Sequence, residues 1–226
     1  MNPSIADIVV HDFGPGTRLG TQARDALRAE LKSTRGKEPG CVLVTVEESA
    51  WDHAPEVTSY RPGDWAQAEV ADQFQALASQ LYGLGRPVVA VLDGPVSGFG
   101  LALAMAADLR VATARTTFSM GRPETAAALL GGSSWLLAGA LGTATVAHLA
   151  WTGDVLSSEE CRCRGLLSEV LNDTSQARVL AGRLASLPTG SSSALKRALR
   201  SRQRSDLEAS MDYDSWLAGI SAGVTS

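Results

Sequence analysis

The sequence predicts an α/β protein built on a parallel sheet, with a mostly helical carboxyl-terminal part. Three observations carry this prediction. Two near-continuous apolar runs, at 41–46 (CVLVTV) and 87–92 (PVVAVL), have the composition of strands buried on both faces, as in parallel sheets. Helical spacing between such runs supplies the crossovers a parallel sheet needs. From about residue 126 onward the pattern is helical, apart from a short strand expected near 167–171.

Each element follows from local chemistry. Residues 5–10 predict a first strand, 14–20 a turn, and 21–33 a helix with Ala23, Ala26, Leu27 and Leu31 on one face. The polar stretch 47–64 contains Pro55 and Pro62, and a loop of that length in a compact domain tends to be functional. Asp64 is placed to cap a helix over 65–82, with Val70, Phe74, Leu77 and Leu81 as its core face. A glycine-rich turn, Asp93 to Gly100, leads into a small-residue helix over 101–107 and then a strand over 109–112. Late helices are expected over 173–187, 191–204 and 206–220, with Ser191, Ser192 and Ser193 capping the second. Ligands of open parallel sheets bind beyond the carboxyl ends of the strands, and both 47–64 and 93–100 leave strands at that end.

Composition narrows the function classes. The chain has 226 residues, enough for one sizeable core, with 45% hydrophobic and 19% charged residues. The net charge of −4 and the absence of a basic stripe argue against nucleic acid as a partner. The amino terminus has neither the basic start nor the apolar run of a secretory signal. The longest apolar stretch, 101–107, is too short for a bilayer, so no membrane partner is expected. Cys41, Cys161 and Cys163 do not form a disulfide framework, which fits a reducing cytoplasm. Cys161 and Cys163 resemble half of a metal site, but no further Cys or His lies nearby in sequence, so packing is the expected role and no metal is predicted.

The turn Gly94-x-x-x-Gly98-x-Gly100 is the first candidate site. Glycines after a strand allow a sharp turn and close approach of backbone to a ligand. The following helix start offers N–H groups and a positive dipole end, suited to a phosphate or a developing oxyanion. A purely structural turn has the same sequence. The spacing does not match a dinucleotide fingerprint, and there is no Gly-Lys-Ser/Thr of a Walker loop. A nucleophile elbow at Ser97 would need glycine where Pro95 stands.

The surrounding residues carry a resemblance. The segment RPVVAVLDGPVSGFGLALAMAADLRVAT (86–113) resembles the signature of the crotonases, the enoyl-CoA hydratase/isomerase superfamily. The segment LAWTGDVLSSEECRCRGLLSEV (149–170) resembles a second block of that family. The resemblance implies a spiral of strand–strand–helix units over 1–170 and a helical region of trimerisation type over 171–226. It implies an acyl-CoA thioester as substrate, CoA being part of that substrate rather than a separate cofactor. It also implies a homo-oligomer, a trimer or a pair of trimers. Two backbone N–H groups would polarise the thioester carbonyl, one from Phe99 and one from His53, the latter in Trp51-Asp52-His53-Ala54-Pro55-Glu56-Val57. Trp51, Ala54, Ser97, Gly98 and Gly100 would line the substrate.

The chain departs from the family at several positions. The first hydratase glutamate is replaced by Ala102. The second lies in a Pro-Glu pair after a phenylalanine. Here the stretch is Phe118 to Glu124, and two registers are open: one puts Arg122 at that position and the other Glu124. Pro123 and Glu124 also suit the first turn of a helix. The middle glycine of the family's triplet is Phe99, which puts a large ring at the oxyanion turn. Ala54 replaces a glycine, with Pro55 behind it. No counterpart of the family's terminal helix, with its Phe and Lys near the CoA nucleotide, is expected after Trp216.

Three functions are compatible with these residues. The first is hydratase or isomerase chemistry with Glu124 as the single general acid/base. The second is a catalytically reduced accessory subunit, in a hetero-complex with a type III polyketide synthase. Small crotonase-like proteins of dihydroxyphenylglycine biosynthesis are similar in size. The third is thioester or peptide hydrolysis through Ser97, for which no His–Asp pair is placed by sequence. His53 as a general base competes with a solvated loop histidine. His11 and His148 read as bystanders, and Trp65 and Trp135 as packing. Asp93 reads as a turn former, and Lys196 to Arg204 as an exposed basic helix face, with CoA phosphates or an acidic partner as the rival reading.

Overall fold

Burial on both faces of the strands builds the centre of the molecule. In the computed structural model, residues 4–10, 21–34, 40–46, 75–121, 132–200 and 204–221 are described. Five strands form one sheet in the order β1 (Ser4–Val10), β2 (Gly40–Val46), β3 (Val88–Leu92), β5 (Leu109–Thr113), β8 (Glu169–Leu171), and every pairing is parallel. Val42, Val44, Val88, Ala90, Leu92 and Ala112 pack into one apolar cluster. Their neighbours Cys41, Leu43, Val89, Val91 and Val111 pack into another. Successive side chains of a strand point to opposite faces, so the two clusters lie on the two sides of the sheet. This is why the runs at 41–46 and 87–92 are apolar throughout.

Helices cover both sides. On the first side lie Leu27 and Leu31 of α1 (Thr21–Thr34) and Leu77 and Leu81 of α2 (75–82). Val70, Phe74 and the expected cap Asp64 lie outside the described residues. On the second side α7 (Ala177–Ala185) presents Ala177, Ala181 and Ala185, a stripe of small side chains that brings the helix close to β1 and β2. Arg178 of α7 also pairs with Asp7 of β1 at 2.9 Å.

A second, smaller sheet gives the spiral. Its strands are β4 (Pro95–Val96), β6 (Thr117–Phe118) and β7 (Leu156–Ser157), in that order. β3 feeds β4 and β5 feeds β6, so successive turns of the chain place one strand in each sheet. The strand–strand–helix spiral implied by the resemblance is therefore present. The helices α3 (Gly98–Ala106), α4 (Ser133–Leu141), α5 (Thr143–Thr152), α6 (Ser158–Cys163), α8 (Thr189–Arg200) and α9 (Arg204–Ser221) complete the described elements, with a 3-10 turn at Thr174–Gln176.

Three local expectations need correction. α3 begins at Gly98, not at Leu101, because Ser97 is extended (φ −149°, ψ 174°) and the chain enters the helix directly after it. α8 begins at Thr189, so Ser191, Ser192 and Ser193 lie inside the helix rather than capping it; Ser193 Oγ instead donates to Gly85 O at 2.6 Å. The helix expected from Asp173 starts as the 3-10 turn, with Asp173 as its cap accepting from Ser175 N.

Candidate active site

The site grows from the end of β3. The strand stops at Leu92, whose carbonyl accepts from the buried Thr116 hydroxyl at 3.1 Å. Asp93 follows and is more than a turn former. It accepts from Thr113 Oγ1 and from Arg115 Nη2, both at 2.5 Å, and the Arg115 guanidinium holds its carboxyl below the usual value of 3.8. Gly94 then turns the chain with φ 101°, a conformation that L side chains rarely adopt. β4 runs beside β6, and a second left-handed residue, Gly98 (φ 51°), opens α3. Glycine therefore has a geometric reason at two of the motif's three positions, Gly94 and Gly98.

Every residue of α3 from Gly98 to Ala106 is buried. The helix is apolar all round, as a helix enclosed on all sides must be. The Ser97 hydroxyl makes no cap bond to the helix. The amides of the first turn, Phe99 among them, thus sit at the carboxyl end of β3, where the helix dipole is positive. The Phe99 ring has 0% exposure and belongs to the apolar core. Ala102 is likewise fully buried, and α3 contains no acidic residue. A carboxylate at the position of the family's first glutamate is absent from this helix.

The other end of α3 reveals residues that the sequence reading missed. Arg110 donates to the carbonyls of Ala104, Ala107 and Leu166, the last at 2.7 Å. Arg200 of α8 donates to Ala106 O at 3.2 Å and to Tyr82 O at 2.6 Å, and lies 3.8 Å above the Tyr82 ring. Cations at a helix carboxyl end satisfy orphan carbonyls and oppose the dipole. Asp108, just beyond the helix, accepts from Val88 N at 2.8 Å and pairs with Lys196 at 2.7 Å and Arg200 at 2.8 Å. Lys196 and Arg200 are thus turned inward, which corrects the expectation of an exposed basic face for these two residues. Burial pushes the Lys196 ammonium down to about 8. One signal was available in the sequence: Lys196 and Arg200 are four residues apart and so share a helix face.

The remaining sequence candidates divide clearly. Ser97, Gly98, Phe99 and Gly100 are brought together at the start of α3. Trp51, His53, Ala54, Arg122 and Glu124 lie outside the described residues, as do His11 and Trp65. His148 and Asp154 are exposed and 2.8 Å apart, and Trp135 packs on the core. Cys41 and Cys161 are buried and Cys163 is exposed. Burial pushes both buried thiols up to about 12. Among the described residues, no group of three metal-type side chains gathers, and no helix is long and apolar enough to cross a membrane.

A two-sheet spiral around a buried glycine-led helix defines a class, and comparison with known proteins identifies it. The enoyl-CoA hydratase/isomerase family matches residues 52–220, and the chain belongs to that family. Methylglutaconyl-CoA hydratase of Rattus norvegicus is 30% identical over 167 residues, covering 70% of this chain and 49% of the relative. The 1,2-epoxyphenylacetyl-CoA isomerase of Escherichia coli is 30% identical over 155 residues, covering 66% of this chain and 59% of the relative. The chain thus spans about half the length of the curated relatives it matches. Among solved structures, an enoyl-CoA hydratase from Bacillus halodurans superposes with a TM-score of 0.77 at 17% identity, covering 96% of this chain and 92% of that one. ThnE from S. clavuligerus superposes with a TM-score of 0.72 at 17% identity, covering 93% and 95%. At such identities these two likenesses concern the fold alone.

Proposed function

We propose that this protein binds an acyl-CoA thioester and performs hydratase or isomerase-type chemistry. The thioester oxygen sits between the backbone N–H groups of Phe99 and His53, and Glu124 is the single general acid/base. The observation that carries this reading is the start of α3. A left-handed Gly98 at the carboxyl end of β3 aims the amino terminus of a fully buried helix at the ligand side of the sheet. Preorganised amides in such a position stabilise an enolate-like oxyanion without reorganising. Trp51, Ala54, Ser97, Gly98 and Gly100 line the substrate, and CoA is part of that substrate rather than a separate cofactor. Because α3 carries no acid, proton transfer falls to one carboxylate. That suffices for isomerisation or enolate protonation and weakens concerted addition of water.

The test is turnover of enoyl-CoA thioesters, crotonyl-CoA included, by the purified chain. Glu124→Gln is expected to lower kcat by about 100-fold or more, the scale of general acid/base catalysis. Undiminished turnover in that variant removes Glu124 from the mechanism.

The missing acid in α3 also favours a second reading. The chain would then be an accessory subunit that binds and stimulates a type III polyketide synthase in secondary metabolism, with little turnover alone. Size-exclusion chromatography of the two proteins mixed, with synthase activity measured in parallel, decides it. Neither a complex nor stimulation would reject it.

A further inference from the structure

Helix α8 forms one wall of a cavity of about 640 Å³ that lies away from the glycine turn. The facing wall is the end of α2 and the turn after it, residues 82–85. Those residues precede β3, whereas the glycine turn follows it. The strand between them has five residues, roughly 17 Å at about 3.3 Å per residue, so the cavity opens at the opposite end of the sheet. Its volume is in the range that holds small organic ligands.

The two walls differ in chemistry. Tyr82 and Leu84 line one side, at 5% and 4% exposure and with Arg200 3.8 Å above the Tyr82 ring. Ser193, Lys196, Arg197 and Arg200 make the other, on a single face of α8. Three of these are engaged: Ser193 with Gly85 O, Lys196 with Arg86 O and Asp108, Arg200 with Tyr82 O and Asp108. Arg197 is exposed and makes no hydrogen bond or ion pair with another described residue.

Charge beside the cavity is unbalanced. Lys196 and Arg200 both pair with Asp108, and among the described residues no second carboxylate bonds to them. Burial lowers the Lys196 ammonium to about 8, and its pairing with Asp108 opposes that shift. With Arg197 at the rim, the cavity carries a positive field over a carbon-lined interior. A neutral apolar guest leaves that field unanswered, and an inorganic anion leaves the carbon wall wet.

We propose that this cavity binds a monocarboxylic acid with an apolar body, an aliphatic chain or an aromatic ring. The carboxylate faces Arg197 and the body lies against Tyr82 and Leu84.

Octanoate titrated into the full chain and followed by calorimetry provides the test. Saturable one-to-one binding is expected, with octan-1-ol binding at least tenfold more weakly. Arg197→Glu reverses the rim charge and should weaken octanoate at least tenfold. Gly190 also lines the cavity, and a Cβ there meets nothing within 4 Å, so Gly190→Phe should fill the space and abolish binding. Both positions are exposed, and unchanged thermal midpoints would establish that the variants fold. No saturable binding, or equal binding of the alcohol, overturns the proposal. So does octanoate binding that both variants leave untouched, since that places the acid elsewhere, the acyl-CoA site included.

Discussion

Single residues set the fit between α4 and α9. Gly132 caps α4 with φ 70°, and a Cβ there would lie 2.6 Å from Leu207 Cδ1 and 3.1 Å from Met211. Replacement by alanine meets both backbone strain and crowding. Gly132→Ala should destabilise the protein by about 1–3 kcal/mol in chemical denaturation, and a neutral result would mean that α9 yields freely. Asp214, on the same helix, is buried and accepts from Ser134 Oγ at 2.8 Å. Burial raises its carboxyl from 3.8 to about 6 despite that bond. The folded state therefore holds this proton more tightly than the unfolded state, and Asp214 lowers stability as pH rises from about 4 to about 6. Subtracting Tm curves of wild type and Asp214→Asn across that range should show the variant gaining relative stability toward pH 7. Parallel curves would contradict the assignment.

At the scale of elements, α8 is tied to α3 and β3 by charge rather than by an apolar stripe alone. Asp108 receives Lys196, Arg200 and the amide of Val88, so a single carboxylate joins three elements. Removing it leaves two largely buried cations without their counter-ion. Asp108→Ala should cost about 3–5 kcal/mol, measured by denaturant unfolding. The double replacement Asp108→Leu with Lys196→Met should recover part of that loss, since it removes a charge from each side. α3 itself was legible in the sequence as a small-residue helix but not in its start. A helix buried on every face has no polar side, so periodicity does not mark its first turn. Phe99 and Ala102, the two departures from the family's pattern within α3, are both absorbed into the apolar core.

For the whole molecule, the sheet buried on both faces explains why so little of the strand sequence is polar. It also places all the strand ends on two sides: the glycine turn on one, and the cavity beside α8 on the other. Trp151 and Val155, at the end of α5, are 80% and 55% exposed, and the homo-oligomer that the family resemblance implies is an expectation that can be tested there. Light scattering should give a mass that is a multiple of 23.6 kDa, threefold or sixfold for the expected assemblies. Trp151→Asp should shift the protein toward the monomer, and a monomeric wild type would remove the oligomer from the account.

What the sequence determined by itself was the α/β class, the parallel sheet and the family; the order of the strands and the small second sheet of β4, β6 and β7 came from the tertiary structure. Continuous apolar runs have few alternatives to a two-sided sheet, and a glycine motif is read from neighbouring residues. The cluster Ser97 to Gly100 was legible for that reason. Only the tertiary structure decided the fate of the basic run on α8. Lys196 is 88 residues from Asp108, and whether a charge is exposed or buried depends on a partner that local spacing cannot reveal. The same holds for Arg110, a charge inside a strand that makes sense once the carbonyls at the end of α3 and after α6 converge on it.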